Sequence, residues 1–512
     1  MGTVRIPRSR PAEVPGDDSD DLARFGYRQE LKRSLGPLSS FAASFSYISV
    51  LTGVFQLFGF GFASGGPAYI WTWPLVFLGQ LAVALCFAET VGQFPLAGSV
   101  YQWSKHLARP LTSWLSGWIM AGGAVVTAAA VAVAYQVVLP QISAAFQILG
   151  SPGDAGVTDT RGGAQNAIVL ALGLVVFTTV VNLCGVRLMA RINDFGVVVE
   201  LIAVTLLIAM LALHVRRGPQ VVLQTHGTGA GHSSGYLGAF LVASLASAYV
   251  FYGFDTAGSL AEETREPRRH APRAILRALT AAFVAGGLLI LVALMAVGDI
   301  RDPELGDLGM PYLVKSTLGS ALGSAFLVCV AIAVTVCCLA VQTAAIRLLF
   351  SMARDGRLPF SRAISRVSPH SRTPVVPALL TCLLTIALLV VNLGNRHLFY
   401  TLTSAGIVLF YVPYLLVTGP MLVRRLRGAW PRADHGPYFS LGRWGVAVNL
   451  LAVLYGMAMT VNVAWPRAAV YPGDGWYYRW GALFFPAVIT AVGAALYLVH
   501  RRAHRSARRA GP

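Results

Sequence analysis

The chain has 512 residues, of which 55% are apolar and only 12% charged, and its net charge is +18. Soluble domains carry about 25% charged residues, so this composition excludes an ordinary soluble fold and points to the bilayer. The six cysteines, Cys86, Cys184, Cys329, Cys337, Cys338 and Cys382, all lie in apolar runs, which argues against a disulfide framework or a zinc site.

Residues 1–38 are polar and of mixed charge, and read as a cytoplasmic tail without the apolar core of a signal peptide. From there the uncharged runs mark the spans. Each needs roughly 20 residues to cross a bilayer, and twelve are expected: 40–62, 68–90, 113–138, 164–185, 195–214, 236–256, 277–298, 321–346, 374–394, 398–422, 444–465 and 480–499. The chain closes on a basic tail, 500–512. With the N-terminus placed inside, 32 of the 40 Lys and Arg fall in inside segments. That bias predicts cytoplasmic termini for a multi-pass protein of the cytoplasmic (plasma) membrane. It also removes nucleic acid as a partner, because the basic charge is spread over loops and tails as topology requires.

Two spans carry an acid. Asp255 ends the sixth, in Tyr249-Val-Phe-Tyr-Gly-Phe-Asp-Thr-Ala-Gly258. A carboxylate flanked by Gly253 and Gly258 inside an apolar run is costly unless it faces a cavity or a partner, and the glycines weaken the helix there. It reads either as a ligand-facing group or as a buried cap of a short second helix. Glu200 lies about one and a half turns into the fifth span. It is a candidate proton carrier or, equally, a buried partner for a hydroxyl or amide. The first span holds Ser49-Val50-Leu51-Thr52-Gly53 in mid-run, and a half-helix is expected to begin near Gly53. Its free N–H groups would suit an anion. Asp255, with Tyr249, Phe251, Tyr252 and Phe254 as an aromatic wall, would suit an ammonium. Glu262, Glu263 and Glu266 stand beside Arg265, Arg268 and Arg269, and read as a salt-bridged surface or an inner gate.

Spans one and six would open two five-helix halves, 39–214 and 236–424, with 444–499 added after them. An odd number of spans per half inverts the second, and interrupted helices at matching places in inverted halves point to a transporter's binding site. Other patterns fall away. The glycine-rich Gly227–Gly231 and Gly59–Gly65 stretches follow no strand, so neither makes a nucleotide site. His226 and His232 lack further ligands for a metal. No nucleophile, base and orienting group come together, so an enzyme is not expected.

Several motifs carry a resemblance. Gly53-Val-Phe55 with Ala63-Ser-Gly-Gly-Pro67, Glu89 followed by Phe94-Pro-Leu-Ala-Gly-Ser-Val-Tyr101, Gly253–Gly258 with Glu262–Arg273, and Arg347–Pro359 stand in one order. Together they resemble the amino acid–polyamine–organocation permeases, most closely the amino acid/choline transporter subgroup. The resemblance implies an all-α polytopic fold with a five-plus-five inverted repeat and helices 1 and 6 interrupted. It implies a permease for an amino acid or related amine, with no cofactor, coupled to protons or alternatively to sodium. A choline, polyamine or organic-cation carrier or exchanger is the runner-up, and a non-transporting receptor is the rival from another class. On this reading Ser49, Val50, Leu51, Thr52, Gly53, Tyr249, Phe251, Tyr252, Gly253, Phe254 and Asp255 bind the solute. Glu200, Asp255, Glu262 and Glu263 serve coupling or gating.

Overall fold

A computed structural model describes residues 22–232, 234–393, 398–432, 436–467 and 480–509. Most of the 1–38 tail, residues 1–21, and the last three residues of the 500–512 tail therefore lie outside the described residues. What is described is all-α. Two isolated bridges, Leu35 with Thr264 and Val367 with Pro374, are the extent of β pairing among the described residues.

The helices run in the order α1 Pro37–Ile48, α2 Val50–Gly65, α3 Thr72–Gln93, α4 Ser99–Leu107, α5 Pro110–Ile142, α6 Arg161–Leu183, α7 Val186–Ala212, α8 Tyr236–Val250 and α9 Thr256–Ser259. They continue with α10 Pro267–Ala296, α11 Glu304–Asp307, α12 Gly309–Leu318, α13 Ser320–Arg354, α14 Ser361–Ile364, α15 Val375–Val391, α16 Leu398–Leu426, α17 Gly445–Ala464 and α18 Gly481–Arg509. Ten helical stretches among the described residues are long and apolar enough to cross a membrane, and two apolar helices, α8 and α15, are shorter. These twelve stand where twelve spans were expected. The protein is a multi-pass membrane protein. Prolines open α1, α5 and α10, at the position where a missing N–H costs nothing.

Burial orders the bundle. The α1–α2 stretch is the most enclosed, while α18 faces outward and α7 presents Phe195, Ile202 and Leu206 on its exposed side, as lipid-facing helices do. Around the centre pack α5, α13 and α16.

Four boundaries differ from the expectation. Helix α7 starts at Val186 rather than near 195, which puts Glu200 in mid-helix rather than in the second turn. The polar residues Arg187, Arg191, Asn193 and Asp194 fall in its first nine residues and masked that start. Helix α10 begins at Pro267, so the basic run expected as a loop is its first two turns. Helix α8 stops at Val250, before Asp255. Helix α18 continues through the basic residues to Arg509.

The N-terminal segment 22–35 lies across one end of the bundle. Ser34 and Leu35 donate their N–H groups to Glu263 O, each at 2.9 Å, and Arg265 N–H donates to Leu35 O at 3.0 Å. Gln29 Nε2 donates to Glu262 O at 3.0 Å, and Tyr27 donates to Asp355 Oδ1 at 2.7 Å. This is called the strapped end below.

Candidate functional site

Two helices in the middle of the bundle are interrupted. Between α1 and α2 the single residue Ser49 leaves the helix, with φ +35° and ψ 95°. The chain resumes at once as α2. This corrects the expectation of a half-helix starting at Gly53: Gly53 N–H donates to Ser49 O at 2.9 Å within the helix. A Cβ on Gly53 would stand 2.5 Å from Val250 Cγ2, so this glycine lets α2 approach α8.

The free amides at the start of α2 are taken up inside the protein. Ser49 Oγ accepts from Thr52 N–H at 3.3 Å. Glu200 Oε1 accepts from Leu51 N–H and from the Ser49 hydroxyl, each at 3.0 Å. Glu200 is fully buried, and its Oε2 has no hydrogen-bond partner among the described residues.

The second interruption is longer. Helix α8 ends at Val250, residues 251–255 are not helical, and α9 begins at Thr256. Gly253 has φ +85°, and a Cβ there would fall on the ring of Tyr47. Only glycine combines that backbone with that approach. Asp255 is buried, and each carboxylate oxygen accepts from a hydroxyl: Oδ1 from Tyr414 of α16 at 2.6 Å and Oδ2 from Ser99 of α4 at 2.7 Å. The Tyr414 hydroxyl also accepts from Gly253 N–H at 2.9 Å. Ser44 of α1 ties the two interruptions together, donating to Phe254 O at 2.8 Å and accepting from Ala257 N–H at 3.0 Å. No cation pairs with Asp255 among the described residues.

A small cavity lies beside Asp255, lined in part by Tyr47, Ser99, Ser259 and Phe410. Tyr252 stacks on Phe410 with centroids 4.5 Å apart, and Tyr47 meets the same ring edge-on at 5.8 Å. The buried hydroxyls of Tyr47 and Tyr249 have no hydrogen-bond partner among the described residues, and buried polar groups of that kind call for an explanation. Phe251 packs instead on Trp73 at 4.4 Å, and Phe254 lies 5.5 Å from Tyr414. The structure thus brings Asp255 together with Tyr47, Tyr252, Phe410, Tyr414 and Ser99. It brings Ser49, Val50, Leu51 and Thr52 together with Glu200. Tyr47, Ser99, Phe410 and Tyr414 were missed by sequence reasoning. Tyr414 has a faint signal, as the third tyrosine in the apolar run of α16, and Ser99 lies in the Phe94–Tyr101 motif without having been singled out; Tyr47 and Phe410 have none.

Glu262 and Glu263 are buried at the strapped end, and their partners correct the expectation. Glu262 is held by Arg354 through two hydrogen bonds of 2.7 and 2.8 Å, and Glu263 by Arg347 at 3.1 Å. Both arginines come from α13. Of the neighbouring basic run, Arg269 makes an exposed contact with Glu266 at 3.5 Å. Immediately after Arg354, Asp355 accepts from Lys105 at 2.6 Å, Tyr27 at 2.7 Å and Tyr101 at 2.8 Å. Burial works against its charge, but these hydrogen bonds and Lys105 outweigh it and hold the carboxyl below its usual range. Glu89, near the C-terminal end of α3, binds Arg425, Trp430, Ser440 and Leu441 N–H and so ties the α16–α17 connection to α3.

The sequence profile of the amino acid permeases matches residues 35–492. The chain belongs to the amino acid permease family. The permease is 31% identical over 470 residues to the amino-acid permease BAT1 homolog of Oryza sativa subsp. japonica, covering 87% of each chain. It is 29% identical over 486 residues to the amino-acid permease BAT1 of Arabidopsis thaliana, covering 90% of each. It is 26% identical over 498 residues to amino-acid permease 2 of Neurospora crassa, covering 94% of this chain and 88% of that one. The permease is accordingly a membrane transporter of a small-molecule solute, working in a lipid setting, and not an enzyme. Among the described residues no group of three or more His, Cys, Asp or Glu is placed to hold a metal ion.

Proposed function

We propose that the permease is a secondary active transporter that moves an amino acid or a related amine across the plasma membrane, coupled to protons, with sodium as the alternative ion. The observation that carries this reading is the pair of interrupted helices, each with a buried carboxylate against its break: Glu200 at Ser49 and Asp255 at the α8–α9 break. Broken helices that turn backbone groups toward a cavity are how such transporters build their sites, and carboxylates inside the membrane mark solute and proton routes.

In this reading α1–α7 (39–214) and α8–α16 (236–424) are the two inverted halves, and the last two spans (444–499) stand outside them. Both termini and the strapped end face the cytoplasm, in keeping with the bias of Lys and Arg. Asp255 takes the solute's ammonium, with Tyr47, Tyr252 and Phe410 around it. Glu200 carries the coupling proton. The Glu262–Arg354 and Glu263–Arg347 pairs form an inner gate that opens during the cycle. The relatives named above as amino-acid permeases support an amino acid as solute. The aromatic rings near Asp255 favour a second reading, an organic-cation carrier for choline or polyamines, in line with the resemblance to the amino acid/choline transporter subgroup.

Proteoliposomes loaded with labelled amino acids and amines, with and without a pH or sodium gradient, test the proposal. Gradient-driven accumulation of an amino acid or amine is expected. Binding without uptake would support a receptor and overturn transport. A cysteine placed in 264–276 and labelled from outside intact cells by an impermeant reagent would overturn the topology.

A further inference from the structure

The amides that open α2 are the natural place for an anion: a 16-residue helix starts there, in the interior, with its dipole and free N–H groups pointing into the break. In this structure the anion is the protein's own. Glu200 Oε1 sits 3.0 Å from Leu51 N, and Thr52 N–H is capped by Ser49. The Leu51, Thr52 and Gly53 amides at this helix start are thus already taken. The second oxygen, Oε2, is buried and has no partner among the described residues. One of its two oxygens thus serves the helix, while the other is open to a proton.

We propose that Glu200 is a built-in stand-in for the carboxylate of the solute, and that taking up a proton on Glu200 releases the Leu51 amide to a carboxylate brought by the solute. Ionised Glu200 and a bound solute carboxylate would place two negative charges on one helix end, which excludes them from each other. Proton and carboxylate therefore bind together, and the linkage is reciprocal. The surroundings leave this to Glu200 alone. Its hydrogen-bond partners are the Ser49 hydroxyl and the Leu51 amide; the Cys337 thiol of α13 is a titratable neighbour that donates to Tyr47 O at 3.4 Å, and no charged side chain pairs with Glu200 among the described residues. The inference rests on the reading that the α1–α2 break holds the solute, and it divides the solutes into two classes. Those with a carboxylate need the proton; amines without one do not.

The experiment compares each α-amino acid with the amine left by its decarboxylation: lysine with cadaverine, ornithine with putrescine, alanine with ethylamine. Binding to the purified permease is measured from pH 5 to pH 8. Both members of a pair bring an ammonium to Asp255, so any titration of Asp255 moves them alike and cancels in their ratio. The amino acid is expected to lose affinity relative to its amine as pH rises, by up to about tenfold per unit above the titration point of Glu200. In Glu200→Gln the amino acid should lose this slope, with size-exclusion and thermal melting reporting the fold. The wild-type comparison stands even where the variant does not fold. Parallel pH profiles for amino acid and amine overturn the inference and leave transport standing. Binding of none of these solutes overturns both.

Discussion

The hydroxyl of Tyr414 stands 2.6 Å from Asp255 Oδ1 and donates to it, while accepting from Gly253 N–H two residues earlier. One side chain from α16 thus satisfies both the orphan amide and the carboxylate of the α8–α9 break. Asp255→Asn keeps the size and removes the charge. It is expected to weaken ammonium-bearing solutes by about 1.5–3 kcal/mol, as for a hydrogen bond to a charged group, or about ten- to a hundredfold. Tyr414→Phe leaves Gly253 N–H buried without a partner and should lower stability by about 1–3 kcal/mol. Solute binding and thermal melting of both variants check this; unchanged binding in Asp255→Asn would reduce Asp255 to a structural anchor for the Tyr414 and Ser99 hydroxyls.

Gly53 is expected to act through packing. Its Cβ position meets Val250 Cγ2 at 2.5 Å, so Gly53→Ala must push α2 from α8, and overpacking of this kind costs about 1–3 kcal/mol. Gly53→Leu should be worse. The readout is the melting temperature in detergent. A Gly53→Ala variant that melts like the parent yet fails to bind solute would return Gly53 to the site.

At the strapped end, removing one partner of a buried ion pair leaves the other charge stranded, at about 3–5 kcal/mol. Glu263→Gln and Arg347→Met should each lower the yield of folded permease sharply. The double variant should recover part of the loss, since the buried charge is then gone from both sides. Additive losses in the double variant would show that the two residues do not act as a pair.

His106 on α4 sets a pH window. Burial, reinforced by Lys105 and Arg432, pushes its imidazole from the ordinary 6.5 down to about 4, and it stacks on Phe94 at 4.5 Å. The unfolded chain therefore binds the proton more readily than the folded one between pH 6.5 and 4. Stability is expected to fall as pH drops through that window, by at most about 1.4 kcal/mol per unit. His106→Phe, which keeps the stack, should flatten the melting profile there. A slope that persists in the variant assigns it to other groups.

Much of the bundle was legible because charge is so costly in a bilayer that its absence outlines each span. The α8–α9 break was legible because two glycines bracket an acid. The α1–α2 break fell within the expected Ser49–Gly53 segment, but α2 begins at Val50, three residues before Gly53, because the turning residue is Ser49, a residue type that gives no such signal, while the conspicuous Gly53 serves close packing. The partners of the carboxylates were not legible at all. Asp255 meets Ser99 and Tyr414, and Glu200 meets Ser49, across more than 150 positions of chain. Proximity in sequence misled for Glu262 and Glu263, whose arginines lie on α13 rather than in the adjacent basic run.

The strap across residues 22–35 offers a way to watch the permease work. Leu35 is hydrogen-bonded on both sides to the stretch just after α9, through Glu263 O and Arg265 N–H. Any displacement of that stretch must carry the strap along or tear it free. Arg24, exposed at its start, is a place for a fluorophore whose signal would report turnover in real time without touching the interior.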